Sequence, residues 1–173
     1  YRLPLLGVAL WLAGCAAPAD PTKMVVAPLL TDGNFPPALV KAMCVRGVTG
    51  GSGTNPMWVS KVGNEEFKAA LTASMEKADL IAPAQGCKYP TDVNLLGLSQ
   101  PIAGLDMEVT SHANYKVYDA ANQPVLQETI SAPYTAKFGE HAIAIYRLQK
   151  ANEGSIRKSI SMFLDKLRAT KIP

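Results

Sequence analysis

Histidine, cysteine and aromatic residues are scarce in this chain of 173 residues, which has two histidines, three cysteines and 7% Phe, Tyr and Trp. His112 and His141 stand far apart and there is no Cys-x-x-Cys pair, so no metal site is expected. An excess of charge is also lacking: 17 Lys and Arg face 14 Asp and Glu, for a formal net charge of +3. That balance gives no argument for a nucleic-acid partner. The carboxyl-terminal basic residues Arg157, Lys158, Lys166, Arg168 and Lys171 are spread along one predicted helix. A solvated helix face is the preferred account of them, over a patch for anionic lipid headgroups. No apolar run reaches the roughly 20 residues that span a bilayer, so no transmembrane helix is expected. Nucleotide signatures are missing too, because Gly50-Gly51-Ser52-Gly53 continues as Thr54-Asn55-Pro56 and not as Gly-Lys-Ser/Thr. The Gly-x-Ser-x-Gly elbow is not formed around Ser52, and no triad spacing or carboxylate pair occurs, so an enzyme is not expected. A flexible loop is the reading of the glycine cluster.

What the chain does have is an apolar stretch from Leu3 to Leu12, broken only by Pro4 and Gly7, preceded by Arg2 and ending in small residues. This is the pattern of a signal-peptide h-region. Its end, Leu12-Ala13-Gly14-Cys15, resembles the bacterial lipobox. The resemblance implies removal of residues 1–14 and attachment of diacylglycerol and an N-acyl chain to Cys15. Two lipid signals already give stable anchoring, at about 0.8 kcal/mol per buried methylene, so the membrane is an expected partner through this anchor. In lipoproteins an aspartate after the cysteine favours inner-membrane retention, and Ala16 stands there. The implied address is the periplasmic face of the outer membrane.

Residues 15–37 read as the lipidated cysteine and a Pro/Ala-rich, semi-extended tether, punctuated by Pro18, Pro21, Pro28, Pro36 and Pro37. Within it, Met24 to Leu30 is apolar enough to add an edge strand or lie against the domain. Residues 38–173 read as a single domain, large enough for a real core. With Cys15 lipidated, Cys44 and Cys87 remain. In an oxidising envelope a disulfide between them is the natural reading, for which the loop-entropy model gives roughly 3 to 4 kcal/mol. Two buried free thiols are the alternative.

Leu39 to Val48 reads as a strand leading into the glycine loop, which carries Asn55-Pro56-Met57-Trp58. The Trp58 indole either caps the core or, with Asn55 and Met57, meets a partner. Asn64 reads as an N-cap, with Glu65 and Glu66 in the first turn of a helix that buries Phe67, Ala70, Leu71, Ser74, Met75 and Ala78. A strand is expected around Val93 to Leu98. Leu105, Met107, Val109, Ala113, Tyr115 and Val117 then alternate with polar residues, as do Leu126, Ile130, Ala132, Tyr134, Ala136 and Phe138, predicting a hairpin that turns about Ala121-Asn122. This register sets Asp106 across from Lys137 and leaves Glu128 on the apolar side near the turn. Glu108, His112 and Lys116 fall on the polar face and are candidate partner contacts. A final helix from Glu140 to Arg168 buries Ile145, Leu148, Ile156, Ile160, Phe163 and Leu167, and Gly154 permits a bend or a close approach to the sheet. Arg147, Asn152, Glu153 and Arg157 form a candidate binding cluster, though the i,i+4 spacing of Glu153 and Arg157 is preferred as an exposed stabilising pair.

The order β-α-β-β-β-α predicts an α+β two-layer sandwich, a mainly antiparallel four-stranded sheet with two helices on one face. This order and the lipobox resemble the lipopolysaccharide-assembly lipoprotein and the auxiliary lipoproteins of ABC-type transporters. Val48-Thr49-Gly50-Gly51, Asn55-Pro56-Met57-Trp58, Arg147-Leu148 and Ala151-Asn152-Glu153-Gly154 resemble a family of uncharacterised proteobacterial envelope lipoproteins, which offers no catalytic residues to transfer and implies no cofactor. Three function classes follow: a non-enzymatic docking or auxiliary component of an envelope assembly or transport system, a carrier with an acyl chain or lipid as ligand, and an acyl transferase or hydrolase. The first is preferred, with an envelope protein as partner.

Overall fold

The computed structural model describes residues 18–28, 33–53 and 61–172. The elements are α1 (Pro21–Met24), β1 (Met43–Thr49), α2 (Asn64–Lys77), β2 (Tyr89–Ser99), β3 (Met107–Tyr118), β4 (Pro124–Ala136) and α3 (Ala144–Ala169). The four strands form one sheet in the order β1-β2-β3-β4. β1 lies parallel to β2, joined through α2, while β2, β3 and β4 run antiparallel. Helices α2 and α3 cover one side, giving the α+β two-layer architecture.

The β3-β4 register is the one the alternation demands, with Met107 opposite Ala136 and Val117 opposite Leu126. Asp106 and Lys137 make an ion pair of 2.8 Å just beyond the paired region. The turn closes because Asp119 Oδ1 accepts from Ala121 N and Gln123 N at 2.9 and 2.8 Å, an Asx-type closure, with Asn122 left-handed at φ 58°. Glu128, half-buried opposite Tyr115, meets Lys166 of α3 at 3.4 Å. Leu105 and Phe138 continue the alternation in sequence but lie beyond the strand ends and are exposed.

Between the layers, Tyr115 stacks on Phe163 at 4.4 Å between centroids and meets Phe67 edge-on at 6.3 Å. The Tyr115 hydroxyl pairs with Ser159 Oγ at 2.8 Å, and burial raises its pKa. A polar partner is what a buried phenol requires.

Small residues let α3 approach the sheet closely. A Cβ at Gly154 would stand 2.3 Å from the Tyr134 ring. At the next residue, Ser155 Oγ accepts from Ser111 N at 2.7 Å and donates to Ala132 O at 2.9 Å, so it bridges β3 and β4.

Several local expectations need correction. Leu39 lies in a 3-10 turn, Pro37–Leu39, and the strand starts at Met43. Asn64 does not cap α2, which Gly63 precedes; its Oδ1 accepts from Gly51 N at 2.7 Å. Gly50 and Gly51 are closely packed and not merely flexible. Gly50 has φ +80°, and a Cβ there would meet Leu95 O at 2.1 Å.

Part of the expected tether lies on the domain. Asp20 accepts from Thr22 N at 2.9 Å and Pro21 occupies the first turn, so the short α1 starts at a well-formed cap. Ala19 and Met24 are buried in the main core, and Val26 N donates to Ser74 Oγ at 2.9 Å. Proline spacing suggested an extended chain, but apolar side chains at Ala19, Met24 and Val26 outweigh it.

Candidate functional site

The outer face of the sheet is built by the period-two pleat of β3. Met107, Val109, Ser111, Ala113, Tyr115 and Val117 are buried beneath the helices, which turns Glu108, His112 and Lys116 to the opposite face. All three expected polar contacts thus share one face of one strand. Glu108 Oε2 accepts from Thr135 Oγ1 at 3.2 Å. The His112 ring pairs with Ser131 Oγ at 2.8 Å through Nδ1 and with Ser99 Oγ at 3.3 Å through Nε2, tying three strands together. Lys116 borders a groove of about 320 Å³ that Gly47, Thr49, Asp92, Asn94 and Asn114 also line. One end of this face is fixed by Arg46, whose Nε donates to Asp92 Oδ1 at 3.0 Å and whose guanidinium lies 4.8 Å from the Tyr118 ring centroid. The face therefore offers donors and acceptors from all four strands in a fixed, half-exposed array, suited to hydrogen-bonded contact with another polar surface.

The remaining expected site residues fall elsewhere. Asn55, Met57 and Trp58 lie outside the described residues, as does Cys15. Cys44 and Cys87 are joined as a disulfide, with Cα atoms 5.6 Å apart. Among the described residues no group of three or more His, Cys, Asp or Glu could hold a metal ion, and no helix is long and apolar enough to cross a membrane.

The second arrangement sits on α3, where six consecutive residues, Ala151 to Ile156, are buried. A helix buried all round must be covered on its outer side, and here residues 18–26 supply the cover. Glu153 Oε1 accepts from Asp20 N at 2.9 Å and from Gln149 Nε2 at 3.1 Å. Gln149 Nε2 also donates to Pro18 O at 2.9 Å. Arg157 Nη1 donates to Lys23 O at 3.2 Å. The exposed Glu153-Arg157 pair that i,i+4 spacing suggested is not formed: Glu153 is 3% exposed, and each side chain binds the N-terminal segment separately. Asn152 Oδ1 accepts from Gln100 Nε2 at 2.7 Å. Arg147 donates to the carbonyls of His141 and Ala142 and lies 5.0 Å from the Phe138 ring centroid. The Arg147 to Arg157 cluster is thus a clamp for other parts of this chain. Its sequence signal was the polar run Asn152-Glu153 inside an apolar helix stripe, which identifies burial only if something covers it.

Burial raises the Glu153 carboxyl above its ordinary value of 4.5, opposed by the Asp20 N–H and the Lys23 charge. The folded state then holds this proton to higher pH than the unfolded chain. Stability contributed by the protonated form is lost as pH rises from about 4.5 through the folded pKa. Glu153→Gln keeps an acceptor for Asp20 N and removes the ionisation, so it is expected to be at least as stable as wild type at neutral pH, and to lose this part of the pH slope. Urea unfolding between about pH 4 and pH 8 measures it, and parallel wild-type and variant curves would show that Glu153 does not titrate in that window.

A two-layer α+β domain with one sheet face open and an N-terminal segment clamped to its last helix is the class these features define. Solved structures share the fold. The protein XCC0632 from Xanthomonas campestris, of the DUF330 family, is 11% identical, covers 79% of this chain and 90% of its own, and has a TM-score of 0.53. The hypothetical protein CT253 from Chlamydia trachomatis is 8% identical, with 75% and 96% covered and a TM-score of 0.54. A third structure, of a candidate lipoprotein from Caulobacter crescentus, is 13% identical over 57% of this chain and 78% of that one, with a TM-score of 0.46. No family model and no curated protein sequence matches the chain.

Proposed function

We propose that this chain is an envelope lipoprotein, anchored through acylated Cys15 at the periplasmic face of the outer membrane, and a non-enzymatic docking component of an envelope assembly or transport system. The anchor reading rests on Leu12-Ala13-Gly14-Cys15. The docking reading rests on one observation: the sheet leaves a polar face open across four strands, with Glu108, His112 and Lys116 held in register on it. The docking reading is favoured over a lipid carrier because Tyr115, stacked on Phe163, fills the space between sheet and helices where an acyl chain would lie.

Cys15→Ser is expected to move the protein from the membrane fraction to the soluble periplasm. Continued sedimentation of the variant, with no acyl mass on wild type, would overturn the anchor. A photocrosslinking residue at Asn114 in intact envelopes is expected to give a discrete adduct that His112→Ala with Lys116→Ala removes. Lys116→Ala should change stability by no more than about 0.5 kcal/mol, whereas His112→Ala gives up two side-chain hydrogen bonds and is expected to cost about 1 to 2 kcal/mol, so the double variant is compared with wild type at a temperature where both are folded. Adducts formed from exposed Glu76 on α2 and not from Asn114 would transfer the docking surface to the helical side.

A further inference from the structure

The topology gathers two loops at one end of the domain. β2 ends and β3 begins there, bounding residues 100–106, and β4 ends and α3 begins there, bounding residues 137–143. Asp106 ties the two together, accepting from Phe138 N at 2.9 Å and from Lys137 Nζ at 2.8 Å. Lys137 and the Phe138 N–H hold the Asp106 carboxyl below the usual carboxylate range. These loops expose four large apolar side chains: Ile102 fully, Leu105 at 71%, Phe138 at 52% and Ile143 at 49%. Of the six large hydrophobic residues exposed among the described residues, four stand at this end. Clustering of this kind calls for an occupant where scattered exposure would not.

The course of the N-terminal segment says which occupant. Lys23 meets Arg157, Asp20 meets Glu153 and Pro18 meets Gln149, so the segment runs beside α3 in the same direction. Followed backwards from Lys23, it heads for the amino end of α3, which is the end carrying the apolar loops. Gln149 is five residues into α3 from Ala144, about 7.5 Å along the axis. Cys15 is three residues before Pro18, at most about 11 Å away. An acyl group on Cys15 would then lie within about 11 Å of Pro18, which sits beside the amino end of α3 where the apolar loops are.

We propose that this end lies on the bilayer, with Ile102, Leu105, Phe138 and Ile143 entering the membrane interface beside the acyl chains of Cys15. The contact is apolar in origin, because the nearby lysines are already paired: Lys137 with Asp106, and Lys150 with Glu140 at 3.6 Å. It fixes the orientation of the domain, with α3 running up from the membrane and the β3-β4 turn farthest from it. The inference rests on the anchor proposed above, and the following measurement separates the two.

The acylated full chain carrying Ile102→Cys, or Ala121→Cys at the far turn, would be labelled with an environment-sensitive fluorophore. It would then be placed on vesicles of phosphatidylethanolamine with a minority of phosphatidylglycerol. The label at position 102 is expected to shift to the blue on vesicle addition and to be quenched several-fold more strongly than the label at 121 by lipid-borne nitroxides, at low and at high salt. Equal quenching at both positions on protein that floats with the vesicles would overturn the orientation while leaving the anchor intact. Quenching at 102 that vanishes in high salt would replace apolar entry with a charge contact. A label at 102 already shifted without lipid would mean that another segment or a second copy covers the patch. Protein that carries no acyl mass and fails to float would remove the anchor and this proposal together.

Discussion

Replacing both Cys44 and Cys87 by Ser is expected to lower the unfolding free energy by about 3 to 4 kcal/mol. The bridge closes a loop with a sequence separation of 43, and the entropic model assigns a loop of that length this value through the unfolded chain. Cys44 is half-buried and Cys87 exposed, so little cavity is made and most of the loss belongs to the unfolded ensemble. The bridge joins the start of β1 to the chain entering β2, the one parallel pairing in the sheet. Urea unfolding of wild type and the double variant would show the loss as a lower midpoint. A midpoint shift worth less than about 1 kcal/mol would mean that the reduced chain retains this contact when unfolded.

Met24→Ala is expected to cost about 2 to 5 kcal/mol, the range for emptying a buried Met site. Met24 is fully buried in the cluster that includes Phe67, Leu71 and Phe163. Neighbouring Lys23→Ala, exposed on the same turn, serves as control and should stay within about 0.5 kcal/mol. If residues 15–37 were a free tether, both substitutions would be silent. A silent Met24→Ala would therefore restore the tether and detach the N-terminal segment from the core.

The β3-β4 register was legible from Met107 to Val117 because the alternation along both strands and a turn at Ala121-Asn122 favour one pairing, while the shift between Val117 and Tyr118 and the exposed ends at Leu105 and Phe138 were not. Both long helices were legible from their apolar stripes, with ends misplaced by a few residues. Glu140 to Ile143 form no part of α3, whose first turn begins at Ala144. The parallel pairing of β1 with β2 was not legible: seven residues with a bulge between Val45 and Gly47 carry no orientation signal of their own. The α3 clamp was misread for a related reason. Helical spacing shows that Glu153 and Arg157 share a side, but it is silent on whether residues 18–26, over a hundred positions away, cover that side. The polar sheet face was found because Glu108, His112 and Lys116 follow the same parity. A partner for it would be a property of another molecule, and no spacing within this chain encodes that.

Pro133 has a consequence for how the molecule behaves in a crowd. β4 is an edge strand of thirteen residues, long enough to template another strand. Pro133, three residues before the end of that edge, offers no N–H, and its carbonyl already accepts from Lys158 Nζ at 3.1 Å. Pro124 opens the same strand, so one of its first donors is missing as well. Proline and lysine on an edge are the means by which sheets resist growth into fibrils. On the proposed anchor, copies side by side would meet at high local concentration, and an edge of this kind would oppose their joining strand to strand.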